Sequence, residues 1–364
     1  MTVKFTDLSA AAQTAYAGLS QATRQAELAR SIADAPGGFA GKTIGARVYW
    51  YYQTKSPDGV SQQFYVGPDD EPTRALIAQH RDPTARAARQ HLARLCAAAM
   101  ALGCYGVIPK HARVLARLAD HGLFRAGGVL VGTHAFLAYQ NHFGVRWRAG
   151  DTTADPGFAH PGRNISLALP SNVRVDSPGA IESLKMGFIP VNEGTRYVKA
   201  DEQDFDLDFL TTRHRGGDAP VALARLGLKL QPLRFMEYPL EATLPLVLPA
   251  SAGPILVNVP RPERYALAKL LVHVERSRSN PSKARKDLEQ AASLIDLLTR
   301  TDPTALHEAW DNLVSRGPSW LEQARSGVQA LARHHHDIAG VLDDCSDPSG
   351  PTPEAGRSQR RRLR

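Results

Sequence analysis

The spacing of hydrophobic residues changes several times along the chain, and each change predicts a different type of secondary structure. Residues 7–36 have the periodicity of an amphipathic helix and end in the turn-forming sequence APGG. The residues that carry this periodicity are Leu8, Ala12, Tyr16 and Leu19. From about residue 43 to residue 68, β-branched and aromatic residues flank the turn Ser56–Gly59, which predicts a β-hairpin. Residues 71–120 return to a helical pattern that is interrupted near Gly103–Pro109.

An alternation of strands and helices begins at Gly127. The segment GGVLVGT is predicted to be a buried strand that ends in a turn of small residues, and HAFLAYQNHFG is typical of a helix that ends at Gly144. Residues 151–159 (DTTADPGFA) and the later segment NISLAL are further candidate strands. SPGAIESLKMG predicts a helix that ends at Gly187, and residues 188–211 predict strands, the last of which alternates strictly.

Together these elements predict an α/β (α+β) fold: a small mixed sheet with helices, flanked by helical N- and C-terminal regions and the N-terminal β-hairpin. We expect a helical region with the hairpin over residues 1–120, the core over 121–260 and a helical region over 261–345. The last region begins with an amphipathic helix whose inward positions are Leu267, Leu270, Leu271 and Val274. Residues 346–364 are rich in Pro, Gly, Ser and Arg and predict a disordered basic tail.

Composition narrows the class of protein. Hydrophobic residues make up 43% and charged residues 22% of the chain, which is ordinary for a globular protein. The net charge of +8 favours phosphate-bearing partners, both nucleotides and nucleic acids. No apolar run approaches the ~20 residues that cross a bilayer, so we expect no membrane partner. The cysteines are scattered, which predicts reduced thiols and a cytoplasmic location: Cys96, Cys104 and Cys345.

Two segments of the predicted core suit the transfer of a nucleotide. Gly132-Thr133 follows a buried strand and opens a helix, an arrangement in which backbone amides and a hydroxyl contact phosphate groups. Asp155 lies in the next candidate strand, and a carboxylate is a typical Mg²⁺ ligand. In DFDLDFLT, Asp204, Asp206 and Asp208 are predicted to share one face of a strand, and Asp208 is the favoured metal ligand. Each segment alone also fits a common turn or a solvated strand edge.

Two further features allow two interpretations each. Lys269 follows Pro262 in a predicted helix and is a candidate to contact triphosphate oxygens, although a long lysine side chain also suits a solvated surface. The aromatic run Tyr49–Tyr52 suits either stacking on nucleic-acid bases or packing of the hairpin against helices.

The order of these segments resembles the nucleotidyltransferase superfamily typified by DNA polymerase beta, in which a Gly-Gly/Ser turn precedes an Asp-x-Asp/Glu strand. A closer resemblance is to a bacterial family of nucleotidyltransferase-fold proteins, and the similar motifs span about residues 45–295. The segments that carry it are Tyr49–Tyr51, Phe64–Pro68, Leu130–Phe136, Leu167–Pro170, Met186–Val191, Asp208–Thr211, Pro262–Leu270 and Lys286–Ala291.

The resemblance implies a polymerase beta-like core that moves an NMP group from an NTP to an acceptor, with Mg²⁺ (or Mn²⁺) as cofactor. It implies that Gly132 and Thr133 bind the nucleotide and that Asp155 and Asp208 are catalytic carboxylates that bind the metal. Asp206 is a further candidate ligand. Acceptors in the superfamily are RNA, proteins or small molecules, and some relatives are toxins of toxin–antitoxin pairs.

The chain departs from the family pattern at the second acid of the Asp-x-Asp strand. Where the family has T-x-D-x-D-F-A, this chain has TADPGFA, so Gly157 replaces the acid and Pro156 removes a strand amide. Two interpretations stay open. Either Asp151 or Asp206 substitutes for the missing ligand and preserves a slower enzyme, or the protein is a catalytically impaired module that binds nucleotide or RNA.

Overall fold

The computed structural model describes most of the chain. The described residues are 4–28, 38–55, 61–81, 83–120, 122–125, 127–148, 164–168, 188–191, 195–199, 202–213, 217–223, 228–277 and 279–344. By their internal packing, the described residues up to Ala268 and those from Lys269 onward group into two compact units.

The strands and helices of the described residues are as follows. The strands are β1 (Phe5–Asp7), β2 (Gly38–Ile44), β3 (Arg47–Lys55), β4 (Ser61–Pro68), β5 (Val129–Val131), β6 (Val145–Trp147), β7 (Asn164–Ala168), β8 (Phe188–Val191), β9 (Arg196–Lys199), β10 (Glu202–Thr212), β11 (Val221–Leu223), β12 (Leu228–Leu233), β13 (Thr243–Leu248) and β14 (Ile255–Pro260). The helices are α1 (Ala10–Leu28), α2 (Glu71–Arg81), α3 (Pro83–Ala101), α4 (Pro109–Asp120), α5 (Gly132–Phe143), α6 (Glu237–Leu240), α7 (Pro262–Arg276), α8 (Pro281–Thr301), α9 (Pro303–Val314), α10 (Pro318–His334) and α11 (His336–Asp344).

The predicted hairpin is the C-terminal part of a three-stranded antiparallel sheet. Strands β3 and β4 pair as predicted, with Tyr52 opposite Phe64. Strand β2 was not predicted, and it pairs with β3 along its whole length through a two-residue turn at Gly45 and Ala46. Gly45 has a φ of 63°, a left-handed conformation that suits glycine in a tight turn. The sequence of β2, GFAGKTI, has fewer β-branched and aromatic residues than β3, the strand with which it pairs.

Helix α1 packs through the face that its periodicity predicts. Ala12, Tyr16 and Leu19 are buried in a cluster with residues of α3 and β13. The Tyr16 hydroxyl donates a hydrogen bond of 3.0 Å to the carbonyl oxygen of Val247, which satisfies its polar group inside the cluster. Cys96 and Cys104 lie in the same cluster as free thiols, and burial raises the pKa of both.

The main sheet of the described residues is mixed and has seven strands. Its path runs in the order β11-β12-β10-β7-β5, and β9 pairs with β10 and with β8. The pairs β10–β7 and β10–β12 are parallel, whereas β5–β7 and β9–β10 are antiparallel. This mixed sheet with helices confirms the predicted α/β class. The short helix α6 was not predicted, because its four residues are too few for a helical periodicity.

Helix α5 lies in the interior of the first unit. Every residue from His134 to Asn141 is buried, so the helix is enclosed on all sides and not on one face alone. It ends at Gly144, whose φ of 67° forms the left-handed cap that the sequence predicts. The Phe136 and Trp147 rings stack at 4.7 Å, and the Tyr139 hydroxyl donates to the Pro260 carbonyl at 2.6 Å.

The C-terminal unit consists of helices in its described residues. Helix α7 begins in the first unit and ends in the second, and it buries Leu267, Leu270 and Leu271 as predicted, whereas Val274 is only half-buried. Helix α10 approaches α7 closely at Gly327, where a Cβ atom would lie 2.8 Å from the Cβ of Leu270. Glycine is therefore required at this helix contact.

Several sequence predictions lie outside the described residues: the candidate strand at 151–159, the candidate helix that ends at Gly187, and the basic tail. Within the part of the chain that the structure describes, none of the helices combines the length and the apolar character needed to cross a bilayer.

Candidate active site

Three neighbouring strands bring the Gly132-Thr133 turn and Asp208 to the same end of the main sheet. Val131 of β5 pairs with Ser166 of β7, and Ser166 pairs with Asp208 of β10. Val131 and Asp208 therefore lie in one row, two strand spacings or about 10 Å apart. Gly132 follows Val131 directly, so the turn adjoins this row.

Asp206 lies at the same end of the sheet as the turn. Strand β7 pairs with β10 in continuous register, which sets Asn164 opposite Asp206. Because β5 runs antiparallel to β7, the chain that leaves β5 after Val131 runs towards the Asn164 end. The backbone thus places the turn and both predicted carboxylate positions of β10 near one another.

The turn has the backbone conformation of a glycine site. Gly132 has a φ of 66°, which residues with a side chain adopt only at a cost of about 1–2 kcal/mol. Helix α5 begins at this residue, and the N-cap position is Val131, which provides no side-chain cap. The N-terminal end of a helix carries a partial positive charge and presents backbone amides, and it therefore favours phosphate groups.

Polar contacts from two other helices hold the turn and the residue that follows it. The Tyr265 hydroxyl donates a hydrogen bond of 2.8 Å to the carbonyl oxygen of Gly132. His134, the residue after Thr133, is fully buried and contacts His111 of α4, with 2.8 Å between His111 Nδ1 and His134 Nε2. One ring nitrogen must donate and the other must accept, so at most one of the two rings carries a charge. Sequence analysis did not identify this pair.

Asp208 combines solvent access with an ion pair. Its side chain is 24% exposed, and Arg196 lies directly opposite on β9, with 3.7 Å between Arg196 Nε and Asp208 Oδ1. Leu210, two residues further along β10, packs against an apolar cluster around Val131, while Phe209 on the other face is fully buried. The carboxylate therefore lies where apolar packing gives way to solvent. Arg196 was not among the predicted site residues, because the strand pairing that sets it opposite Asp208 cannot be read from one sequence.

The predicted metal ligands are only partly described. Among the side chains that the structure describes, no three or more His, Cys, Asp or Glu residues converge as a metal-binding group. Asp155, Pro156 and Gly157 lie outside the described residues, and Asp206 is placed by its backbone alone. Asp155, Asp206 and Asp208 as ligands therefore stay a prediction, as does the effect of Gly157.

Lys269 takes part in a buried ion-pair network of the C-terminal unit. Its ammonium group contacts one carboxylate oxygen of Asp287, and Arg276 Nη1 lies 2.8 Å from the other. Burial lowers the pKa of Lys269. Burial alone would raise the pKa of Asp287, but the charges of Lys269 and Arg276 outweigh it and hold that pKa below its usual range. The contact of Lys269 with nucleotide stays a prediction, and this network shows a structural function for the same residue.

Comparison with known proteins gives one family match. The family model described as nucleotidyltransferase matches residues 109–315, more than half of the chain. The matched range includes the turn, strand β10 and the Lys269 network. A crystal structure of an antigenic nucleotidyltransferase-like protein from Paracoccidioides brasiliensis is 14% identical and covers 61% of this chain and 95% of its own. The TM-score between the two structures is 0.28. No curated protein sequence matches the chain significantly.

Proposed function

The chain belongs to the nucleotidyltransferase family, and on that premise we propose that it moves an NMP group from an NTP to an acceptor, with Mg²⁺ (or Mn²⁺) as cofactor. The observation that carries the proposal is the strand register that brings the Gly132-Thr133 turn and Asp208 to one end of one sheet. Nucleotidyl transfer needs a triphosphate held in place beside carboxylates that bind metal.

In this proposal the turn binds the triphosphate. The first amides of α5 and the Thr133 hydroxyl contact phosphate oxygens, and the helix N-terminus stabilises their negative charge. The left-handed φ of Gly132 favours glycine, and because glycine has no Cβ atom the backbone can approach the phosphate closely. Tyr265 fixes the Gly132 carbonyl, so the turn keeps one orientation before the nucleotide arrives.

The carboxylates would hold the metal ion. Asp208 fits this function because Mg²⁺ prefers hard carboxylate oxygens and because this carboxylate is accessible to solvent. Asp155 and Asp206 are the proposed additional ligands. When bound, the ion would stabilise negative charge at the α-phosphate, where the bond to the acceptor forms as the bond to the leaving pyrophosphate breaks. Arg196 balances the charge of Asp208 in the protein without nucleotide.

The alternative function is a module of the same fold that binds nucleotide or RNA without turnover. Gly157 at the position of the second acid favours this alternative, since it removes a metal ligand. The two functions differ in one measurable quantity, the covalent transfer of label from an NTP.

The test is a transfer assay with the purified full-length protein, each α-labelled NTP in turn, Mg²⁺ or Mn²⁺, and total RNA. We expect label to appear in RNA or in protein, and Asp208→Asn to lower the rate at least about 100-fold, equivalent to about 2.7 kcal/mol. Asp218→Asn is the matched control, because this 70% exposed carboxylate pairs with Arg213 outside the row of the turn. Binding of NTP without transfer would support the module, and the absence of both would contradict the nucleotide site.

A further inference from the structure

One face of the three-stranded sheet carries a group of tyrosines. Tyr49 and Tyr51 of β3 and Tyr65 of β4 alternate onto the same side, which we call the tyrosine face. The ring centroids of Tyr51 and Tyr65 lie 5.6 Å apart, and those of Tyr49 and Tyr65 lie 6.3 Å apart. Tyr65 is 58% exposed and the other two are half-buried, so the rings are open to a ligand.

The packing of the sheet against α2 uses the opposite face. Tyr52 is buried there between Phe39 and His80, with ring-centroid distances of 5.3 Å from Phe39 and 6.2 Å from His80. Trp50, on the same side as Tyr52, donates from Nε1 to Asp69 at 2.9 Å. The two interpretations of the aromatic run therefore apply to different residues. Trp50 and Tyr52 pack the sheet, and the tyrosine face is left for another function.

The charge around the tyrosine face is positive. Lys42 of β2 lies opposite Tyr49, and its Nζ is 4.8 Å from the centroid of the Tyr51 ring. Arg47 is exposed and precedes Tyr49 by two residues, on the same side of β3. None of the residues of β2, β3 and β4 is acidic. A phosphate-bearing ligand thus meets no repulsion from the strands of this sheet.

We infer that the tyrosine face binds single-stranded RNA, with bases stacked on Tyr49, Tyr51 and Tyr65 and phosphates contacted by Lys42 and Arg47. Aromatic rings stack on any base, and nearby cations follow the backbone, which is how single-stranded nucleic acids bind without sequence preference. The binding does not depend on the transfer reaction.

The choice of RNA over DNA rests on the amide groups beside the rings. Gln53 and Gln63 face each other across β3 and β4, on the same side as the tyrosines. Lys42 Nζ donates a hydrogen bond of 2.5 Å to Gln63 Oε1, so the NH₂ group of the Gln63 amide is the part that faces a ligand as a donor. An amide donor suits the oxygen of the 2′-hydroxyl that only RNA carries. The rings themselves end in hydroxyl groups, so the face is polar around an aromatic centre.

The experiment is a fluorescence-anisotropy titration of the full-length protein with a labelled single-stranded RNA of about 12 nucleotides and mixed sequence. We expect the double substitution Tyr51→Ala with Tyr65→Ala to weaken binding about tenfold or more, because two stacking surfaces are lost. Lys42→Ala is expected to weaken binding less and to reduce the slope of log K against log salt by about 0.7. Phe64→Ala is the matched control. Phe64 is adjacent to Tyr65 and is 53% exposed, but its side chain lies on the opposite face of the sheet.

Three further measurements separate RNA binding at the tyrosine face from effects on folding, on the nucleotide site and on DNA binding. Thermal unfolding of each variant checks the fold, and Tyr65→Ala alone, at the most exposed ring, replaces the double variant if that one unfolds. NTP affinity of the tyrosine variants should stay unchanged, which separates a failure here from a failure of the nucleotide site. Equal RNA affinity of the wild-type protein and the folded tyrosine variant would overturn the inference. Equal affinity for single-stranded DNA of the same sequence would overturn the assignment to RNA.

Discussion

At the scale of single residues, Gly132 is the position where backbone geometry and proposed chemistry coincide. We expect Gly132→Ala to destabilise the fold by about 1–2 kcal/mol, because alanine resists a φ of 66°, and to weaken NTP binding. Isothermal titration with a non-hydrolysable NTP measures the second effect. Gly18→Ala is the matched control: Gly18 lies within α1, nothing lies within 4 Å of an added Cβ, and alanine favours a helix. Wild-type affinity in Gly132→Ala would contradict the phosphate turn.

The missing acid at Gly157 gives a second residue-scale prediction. If one absent ligand limits the site, the double substitution Pro156→Ile with Gly157→Asp should tighten Mg²⁺ binding and raise the rate of NMP transfer. The change at Pro156 is included because its fixed φ would constrain the orientation of the new carboxylate. Metal titration and the transfer assay measure the two effects. A folded variant without gain in either would show that the missing acid does not limit the site.

At the scale of elements, the contact between α4 and α5 fixes the start of the helix that carries the turn. His111→Ala removes the partner of His134, and we expect a loss of about 1–3 kcal/mol in stability together with a raised KM for NTP. His111→Asn should restore part of the stability and part of the affinity for NTP, since the asparagine amide would lie close to the position of the His111 Nδ1 atom. The readout that separates positioning from mere stability is the KM for NTP, measured well below the unfolding temperature. An unchanged KM in a destabilised His111→Ala protein would limit the pair to a structural function.

Sequence patterns predicted the elements better than the contacts between them. The inward residues of α1 and α7 follow from helical spacing alone, and Gly144 marks the end of α5 because glycine tolerates a left-handed cap. The pairs Arg196–Asp208 and His111–His134 join residues of different elements, and their meeting depends on strand register and helix packing. One sequence does not contain that information. The site was therefore predictable as a set of segments but not as a set of contacts.

At the scale of the whole molecule, the Lys269 network gives a prediction for the C-terminal unit. Asp287→Asn would leave Lys269 as a buried charge without its carboxylate, and we expect a loss of about 3–5 kcal/mol in unfolding free energy. Lys269→Met with Asp287→Leu should recover part of this loss, because the buried charges are removed together. Chemical denaturation measures both variants. A mild effect of Asp287→Asn would show that the network contributes little to stability.

The pH dependence of this network has a definite sign. The pKa of Asp287 is lower in the folded protein than in the unfolded chain, where it is about 3.9. Its contribution to stability is therefore fully present when the pH is above the pKa of Asp287 in the unfolded chain. The contribution is lost as the pH falls through the pKa of Asp287 in the folded protein. We expect the wild-type protein to lose more stability than Asp287→Asn when the pH is lowered from about 5 to about 3. Parallel losses in both proteins would contradict this.

The strand pairings that form the candidate site also determine when the site forms during folding. Val131 pairs with a residue 35 positions later, and Ser166 with a residue 42 positions later. Pairings between such distant segments form slowly, because a long loop must close before any contact compensates for the lost entropy. The backbone hydrogen bonds within helices α4 and α5 join residues that are close in sequence, so these helices form sooner. During refolding, helical circular dichroism should therefore return before NTP binding, and a nascent chain gains its nucleotide site only after β10 has been synthesised.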